Sequence, residues 1–193
     1  CEPAIMTKDA GKSQKGRKTN ATGGRDAELE VAVEISASPK RVWNVLTDFD
    51  AYGEWHPYET ISGDAEAFGR LRVTSRMLKG GNVESRSTGV IVRFEPEIAL
   101  EFVSGSPFFW RARRWFHLQA TPKGTLLRHG TTFTGWLARR AFKTTHKISR
   151  LQPFFEALNT ALSRRATSPN WRKPSGGNRH SRRASKAKHR HDG

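Results

Sequence analysis

Six segments with strand-like patterns follow one another after Pro57, and this succession limits the fold more than any other feature of the sequence. Each segment ends at turn residues such as Gly80-Gly81, Glu95-Pro96 or Lys123-Gly124. Consecutive strands joined by such short links are typical of an antiparallel meander. The predicted strands cover 59–66, 69–78, 84–95, 98–104, 110–121 and 125–136.

A seventh strand and a helix are predicted before the meander. The segment ELEVAVEI, 28–35, alternates apolar and polar residues, as a half-buried strand does. Ser38-Pro39 then matches a helix N-terminus, and Asp50 with Gly53 ends the helix before a second short helical turn. The residues of this helix at positions i, i+3, i+4 and i+7 are Val42, Val45, Leu46 and Phe49.

Helical periodicity returns over 138–165, where Pro153 must either kink the helix or start its second half. The apolar stripe of this segment consists of Ile148, Leu151, Phe155, Leu158 and Leu162. This long helix is the only predicted element large enough to cover the apolar face of a seven-stranded sheet. The fold class is therefore α+β, and a helix laid across the concave face of a curved sheet leaves a cavity between the two.

The charge of the chain is concentrated at its ends. Of the net charge of +16 over 193 residues, 164–193 contribute ten Lys/Arg against one Asp/Glu, whereas 28–163 contribute 18 against 14. We predict a disordered leader over 1–27, one domain over 28–166 and a disordered basic tail over 167–193. No apolar window is long enough for a membrane span. The single cysteine, Cys1, is compatible with the cytoplasm, although it could also carry a lipid if Met6 is not near the natural start.

The last predicted hairpin indicates which side chains face the cavity. A two-residue loop of Lys123 and Gly124 would place Leu118 opposite His129 and Arg114 opposite Phe133. A three-residue loop is the less favoured alternative. It would place His117 opposite His129 and would put polar and apolar side chains on the same face of the sheet. In the first register the inward face is apolar with a polar minority, and it carries Trp110, Ala112, Arg114, Phe116, Leu118, His129, Thr131 and Phe133.

A few polar groups in an apolar concavity are typical of a small-molecule site. Two plainer interpretations remain open. His129 could be an ordinary hydrogen-bonded core residue, and Arg114 could sit at the mouth of the sheet beside a carboxylate. The aromatic side chains could also fill the interior completely.

Three segments resemble one known superfamily in the expected order. They are SPKRVWNVLTDFDAYGEWHPY at 38–58, HGTTFTG at 129–135 and FEALNTAL at 155–162. Over about 28–166 the chain is similar to START-like proteins, and more narrowly to the bacterial polyketide cyclase/dehydrase and lipid transport (SRPBCC) families. The resemblance implies the helix-grip fold of the birch pollen allergen type, with a hydrophobic ligand cavity under the long helix.

The resemblance implies less about activity. Members bind lipids, sterols, polyketides or quinones, and only some catalyse cyclisation or dehydration. In this chain His56 replaces a common asparagine and Thr131 replaces a common glutamate. The second change removes an inward carboxylate that could act as a general base, which disfavours an enzyme.

Three hypotheses follow. The first is a cytoplasmic module that binds a hydrophobic or amphipathic small molecule without a cofactor or metal. The second is a cyclase or dehydrase with His129 as acid/base and Arg114 polarising a carbonyl. The third is weak, non-specific contact of 168–193 with nucleic acid or anionic lipid. The predicted ligand-binding residues are Trp55, Tyr58, Phe94, Phe102, Trp110, Arg114, Phe116, His129, Thr131 and Phe133, with Tyr52 as a further rim candidate.

Overall fold

A computed structural model of the chain describes residues 27–78, 83–142 and 148–170. Strand β1 (Ala27–Ile35) leads into helix α1 (Pro39–Thr47), a 3-10 turn (Phe49–Ala51) and the short helix α2 (Tyr52–Trp55). The elements that follow are β2 (Glu59–Gly63), β3 (Arg70–Leu78), β4 (Val83–Glu95), β5 (Ala99–Ser106), β6 (Trp110–Thr121), β7 (Gly124–Thr134), α3 (Trp136–Ala141) and α4 (Gln152–Thr167). Residues 1–26 of the predicted leader and most of the predicted tail lie outside the described residues, whereas Ala27 belongs to β1.

The seven strands form one antiparallel sheet in the order β1-β7-β6-β5-β4-β3-β2. The six later strands are therefore the predicted meander, and β1 closes the order by pairing with β7 from Ala27↔Phe133 to Ile35↔Thr125. Together with the helices between β1 and β2 and the helix α4, this arrangement confirms the predicted helix-grip fold.

Helix α1 begins where the sequence predicts it. The Ser38 hydroxyl accepts a hydrogen bond from the Arg41 backbone N–H at 3.4 Å, and Pro39 occupies the first turn, where its missing N–H has no consequence. The predicted apolar stripe is buried, and Trp43 is buried beside it. This helix packs against α4, the helix that covers one face of the sheet.

The C-terminal helical segment is divided rather than continuous. Helix α3 ends at Ala141, 143–147 lie outside the described residues, and α4 starts at Gln152 with Pro153 in its first turn. Of the two roles predicted for Pro153, the structure has the start of a helix, because proline lacks the N–H that a helix interior requires. The far end of α4 is tied to the first helices, since Arg165 donates to Glu54 at 2.8 Å and Arg41 donates to the Ser168 carbonyl.

The register predicted for the last hairpin is wrong by two residues, although the predicted face is right. The loop consists of Pro122 and Lys123, so that Thr121 pairs with Gly124 and Phe116 with His129. Gly124 has φ +139 and belongs to the strand, where a Cβ would lie 2.2 Å from the Ile35 carbonyl oxygen. A shift of two residues keeps every side chain on its face, so the predicted inward set remains inward.

The core has two parts. The larger cluster lies between the sheet, α1 and α4 and includes Ile35, Leu46, Leu100, Phe116 and Leu162. A smaller cluster at the α3 end consists of buried Leu29, Ile148 and Phe155 with half-buried Phe133 and Phe142 around them. Among the described residues, none of the helices is both long and apolar enough to cross a bilayer.

Candidate functional site

A small pocket opens between the first two turns of α4 and the concave face of the sheet. The empty space in this pocket measures about 200 Å³ when the part open to solvent is included. The volume that the centre of a water molecule can occupy is only about 10 Å³. This is room for about one water molecule. The pocket is lined by His56, Tyr58, Glu59, Arg114, His129, Phe154, Phe155 and Leu158.

A buried ion pair forms one wall of the pocket. The Arg114 guanidinium on β6 grips the Glu59 carboxylate on β2 with two hydrogen bonds, of which Nη2 to Oε1 measures 3.0 Å. Only 3% of the Glu59 side chain and 18% of the Arg114 side chain are exposed. Burial alone would raise the pKa of the Glu59 carboxyl, but the charge and hydrogen bonds of Arg114 hold this pKa below its usual range. The two charges therefore cancel inside the fold.

His56 is fixed as a neutral ring beside this pair. Its Nδ1 accepts hydrogen bonds from the backbone N–H groups of Tyr58 at 3.2 Å and Glu59 at 3.0 Å. Nε2 therefore carries the proton, and it faces a Glu59 carboxylate oxygen at 3.5 Å. Burial lowers the pKa of His56 to about 4, against the opposing effect of Glu59.

His129 on β7 lies at the bottom of the pocket between two phenylalanine rings. The ring of Phe116 is 4.4 Å away at 6°, and the ring of Phe155 from α4 is 4.5 Å away at 15°. The residue is 1% exposed. Burial lowers the pKa of His129 well below its usual range, and the positive charge of Arg114 lowers this pKa further. The imidazole is therefore neutral at pH 7, with one donor and one acceptor nitrogen.

Three buried polar atoms, two in the pocket lining and one beside it, have no hydrogen-bond partner among the described residues. They are both ring nitrogens of His129 and Oδ1 of Asn159, which is 4% exposed on α4. The Asn159 amide lies beside the His129 ring and opposes the fall of its pKa, but the geometry of the two groups does not make a hydrogen bond. Buried polar groups are nearly always paired, so these atoms can accept or donate to a molecule in the pocket.

The structure brings three of the predicted ligand-binding residues to the pocket wall, namely Tyr58, Arg114 and His129. Phe116 stacks on His129 from behind, and Arg114 lies over the Phe102 ring at 5.7 Å. These two phenylalanines therefore support the polar residues without lining the pocket.

The other predicted residues pack elsewhere. Phe94 contacts Trp43 at 5.0 Å, and Trp110 contacts Phe133 at 5.2 Å in the smaller cluster. Trp55 packs on Tyr52 and His56, and Thr131 is buried opposite Arg114. Tyr52 is also not a rim residue, because it is 1% exposed and its hydroxyl donates to the Leu46 carbonyl at 2.9 Å.

Sequence reasoning did not assign Glu59 and Asn159 to the site, although their spacing carries a signal. Glu59 shares a strand face with Ile61 two residues later, and Asn159 follows Phe155 by four residues on the apolar stripe of α4. The inward carboxylate that Thr131 does not supply is therefore supplied by Glu59. Within the described ranges, no three His, Cys, Asp or Glu side chains converge as a metal site would require.

Comparison with known proteins identifies the domain. The sequence profile of the family described as polyketide cyclase / dehydrase and lipid transport matches residues 26–167. No functionally curated protein matches the chain.

Solved structures share the fold at low sequence identity. Protein SA2116 from Staphylococcus aureus has a TM-score of 0.56 and 13% identity, covering 74% of this chain and 97% of its own. The di-domain ARO/CYC StfQ from the steffimycin biosynthetic pathway has a TM-score of 0.56 and 12% identity, covering 74% of this chain and 49% of its own. Ara h 8.0201 has a TM-score of 0.56 and 11% identity, covering 73% and 97%.

Proposed function

Because the chain belongs to the polyketide cyclase / dehydrase and lipid transport family, we propose that its domain binds an uncharged amphipathic small molecule between α4 and the sheet. The observation that carries this proposal is the buried His129, whose two nitrogens have no partner among the described residues although the ring is held between two phenylalanines. An unpaired buried polar group costs about 1–3 kcal/mol. A ligand hydroxyl or carbonyl at His129 and Asn159 recovers part of that loss.

The charges of the pocket favour a neutral ligand. Arg114 is already neutralised by Glu59 through two hydrogen bonds, and His56 and His129 are uncharged at pH 7. An ionised carboxylate or phosphate would find no free cation among the described residues of the pocket wall, and its burial without a partner is strongly unfavourable. The rest of the wall is apolar and suits rings or acyl chains.

Binding requires the pocket to widen. Ligand pockets for drug-sized molecules typically measure about 300–1,000 Å³, whereas water centres reach only about 10 Å³ here. Phe154, Phe155 and Leu158, all in the first two turns of α4, form the apolar side of the pocket. A ligand therefore enters by displacing Phe155 from the His129 ring or Phe154 from the Tyr58 ring.

A cyclase or dehydrase role for the same residues is less well supported. The Arg114 guanidinium is engaged by Glu59 and is not free to polarise a substrate carbonyl. His129 in its neutral form can accept a proton, but its lowered pKa makes it a weak general base. Binding needs only the hydrogen-bonding capacity of these groups.

The test is native mass spectrometry of the full chain with two probes, an uncharged flavonoid and a fatty acid. We expect the flavonoid to bind in preference to the fatty acid. His129→Leu is expected to weaken flavonoid binding about tenfold, the equivalent of one hydrogen bond of about 1.4 kcal/mol. His117→Leu is the control, because His117 lies on the other face of the sheet and contacts Glu101. If neither probe binds and no molecule copurifies, the interior is a filled core and the proposal is wrong.

A further inference from the structure

Four large apolar side chains stand exposed together where the β5–β6 turn meets α3. Phe108 is 81% exposed, Phe109 60%, Trp136 56% and Leu137 44%. We call these four residues the aromatic edge. Single exposed apolar residues are common, but a contiguous exposed group marks a surface that contacts something.

The backbone holds the aromatic edge in place. The Trp136 N–H donates to the Phe108 carbonyl at 3.1 Å, and the Leu137 N–H donates to the Phe109 carbonyl at 3.0 Å. Gly135, which precedes Trp136 and has φ +99, lies so close to the turn that a Cβ there would be 2.6 Å from the Phe109 carbonyl oxygen. The backbone hydrogen bonds therefore hold the turn and the start of α3 together, and the side chains of the aromatic edge point outward.

The segments that form the aromatic edge carry only positive charge in their sequence. No aspartate or glutamate occurs from Phe102 to Phe155, a stretch that includes the whole β5–β6 turn and α3. Arg139 and Arg140 follow the aromatic edge on α3, and both are exposed. In the part of the chain that the structure describes, neither makes an ion pair, whereas Arg113 and Arg128 are paired with glutamates.

We propose that the aromatic edge, with Arg139 and Arg140, docks on the surface of an anionic lipid bilayer. Tryptophan and phenylalanine rings bury favourably in the headgroup region, and unpaired arginines are attracted to anionic headgroups. Apolar rings beside free cations fit this partner better than they fit a protein surface, which would need acidic groups placed to match them. The proposal concerns the folded domain and is separate from any contact of the basic tail.

The aromatic edge is also connected to the candidate pocket through packed rings. Trp110, next to Phe109, packs on Phe133 at 5.2 Å and on Phe142 at 5.6 Å. These rings surround the smaller core cluster, which contains Phe155 of the pocket wall. A docked domain would therefore hold the pocket near the lipid surface, although docking itself does not depend on the proposed ligand.

The experiment is sedimentation of the full chain with phosphatidylcholine vesicles, with and without phosphatidylserine. We expect binding to the anionic vesicles and a loss of about tenfold or more in the double variant Phe108→Ser/Phe109→Ser, because two rings leave the headgroup region. The matched control is Phe68→Ser, which removes a ring that is 79% exposed elsewhere on the domain. Arg139→Gln/Arg140→Gln is expected to weaken binding several-fold to anionic vesicles only.

A second readout separates insertion from charge attraction by the tail. Lipids with bromine on their acyl chains should quench part of the tryptophan fluorescence, and Trp136→Phe should remove most of that quenching. The proposal is overturned if the Phe108→Ser/Phe109→Ser variant binds as tightly as the parent, which would assign binding to the tail. It is also overturned if analytical ultracentrifugation shows that the parent chain is a dimer and that this variant is a monomer. The partner of the aromatic edge would then be a second copy of the chain.

Discussion

At the scale of single residues, the Glu59–Arg114 ion pair is largely buried and also forms one wall of the candidate site. Removing one partner of a buried pair leaves the other charge without compensation, which typically costs about 3–5 kcal/mol. We therefore expect Glu59→Gln to lower the free energy of unfolding by about 3 kcal/mol, measured by urea denaturation at pH 7.

Two variants frame this prediction. Glu84→Gln breaks the exposed pairs with Arg76 and Arg86 and should leave the urea midpoint unchanged within error. The double variant Glu59→Leu/Arg114→Met should recover much of the lost stability, because an apolar pair needs no charge compensation. A loss in Glu59→Gln no larger than in Glu84→Gln would show that Arg114 is solvated in the folded protein.

The buried histidines make stability depend on pH below neutrality. Burial lowers the pKa of His56 to about 4 and that of His129 well below its usual range, whereas in the unfolded chain both titrate near about 6.5. As pH falls below that value the unfolded state takes up protons that the folded state refuses. Each group then removes about 1.4 kcal/mol of stability per pH unit until its folded pKa is reached.

In the variant His129→Leu, the free energy of unfolding should therefore fall less steeply between pH 6.5 and pH 5 than in the parent chain. The difference in slope should equal the contribution of one histidine. The measurement is a series of urea midpoints from pH 8 to pH 5 for the variant and the parent chain. Phe155→Leu is the control, because it disturbs the same ring stack without removing a titrating group. If His129→Leu keeps the full slope of the parent, His129 is protonated or solvated in the folded state.

At the scale of elements, periodicity predicted the order of strands and helices because each element buries one face. The inward set of β6 and β7 was correct although the pairing was shifted by two residues, since burial specifies only the face and the turn specifies the register. Pro122 and Gly124 gave an ambiguous turn signal. The register is fixed by the close approach of Gly124 to the Ile35 carbonyl oxygen. These two residues are far apart in the sequence, so a local turn pattern does not reveal the contact.

The candidate site was predictable only in part for a similar reason. His129 and Arg114 lie on strands whose alternation fixes their direction, and both reach the pocket. Trp110 and Phe133 share that face but lie further along the strands, where they pack with Phe142 instead. Which inward residues border the pocket depends on where α4 crosses the sheet, and the helical periodicity of 138–165 does not specify that position.

At the scale of the whole molecule, two positively charged segments of different composition occur in one chain. The aromatic edge places apolar rings on a fixed backbone beside Arg139 and Arg140, which make no ion pair among the described residues. Residues 171–193, outside the described residues, carry eight Lys/Arg against one acidic residue and a single aromatic residue, Trp171. Charge without rings favours polyanion binding by counterion release, whereas charge with rings favours a bilayer.

This difference predicts that the two kinds of binding can be separated in the full chain. Replacing the eight Lys/Arg of 171–193 with glutamine should abolish most binding to duplex DNA and make its dependence on salt concentration much shallower, as measured by fluorescence anisotropy. The same variant should keep the quenching of Trp136 by brominated lipids, because apolar insertion does not require the tail. Unchanged DNA binding would instead assign it to the outer face of the sheet, where Arg111, Arg113 and Arg128 lie.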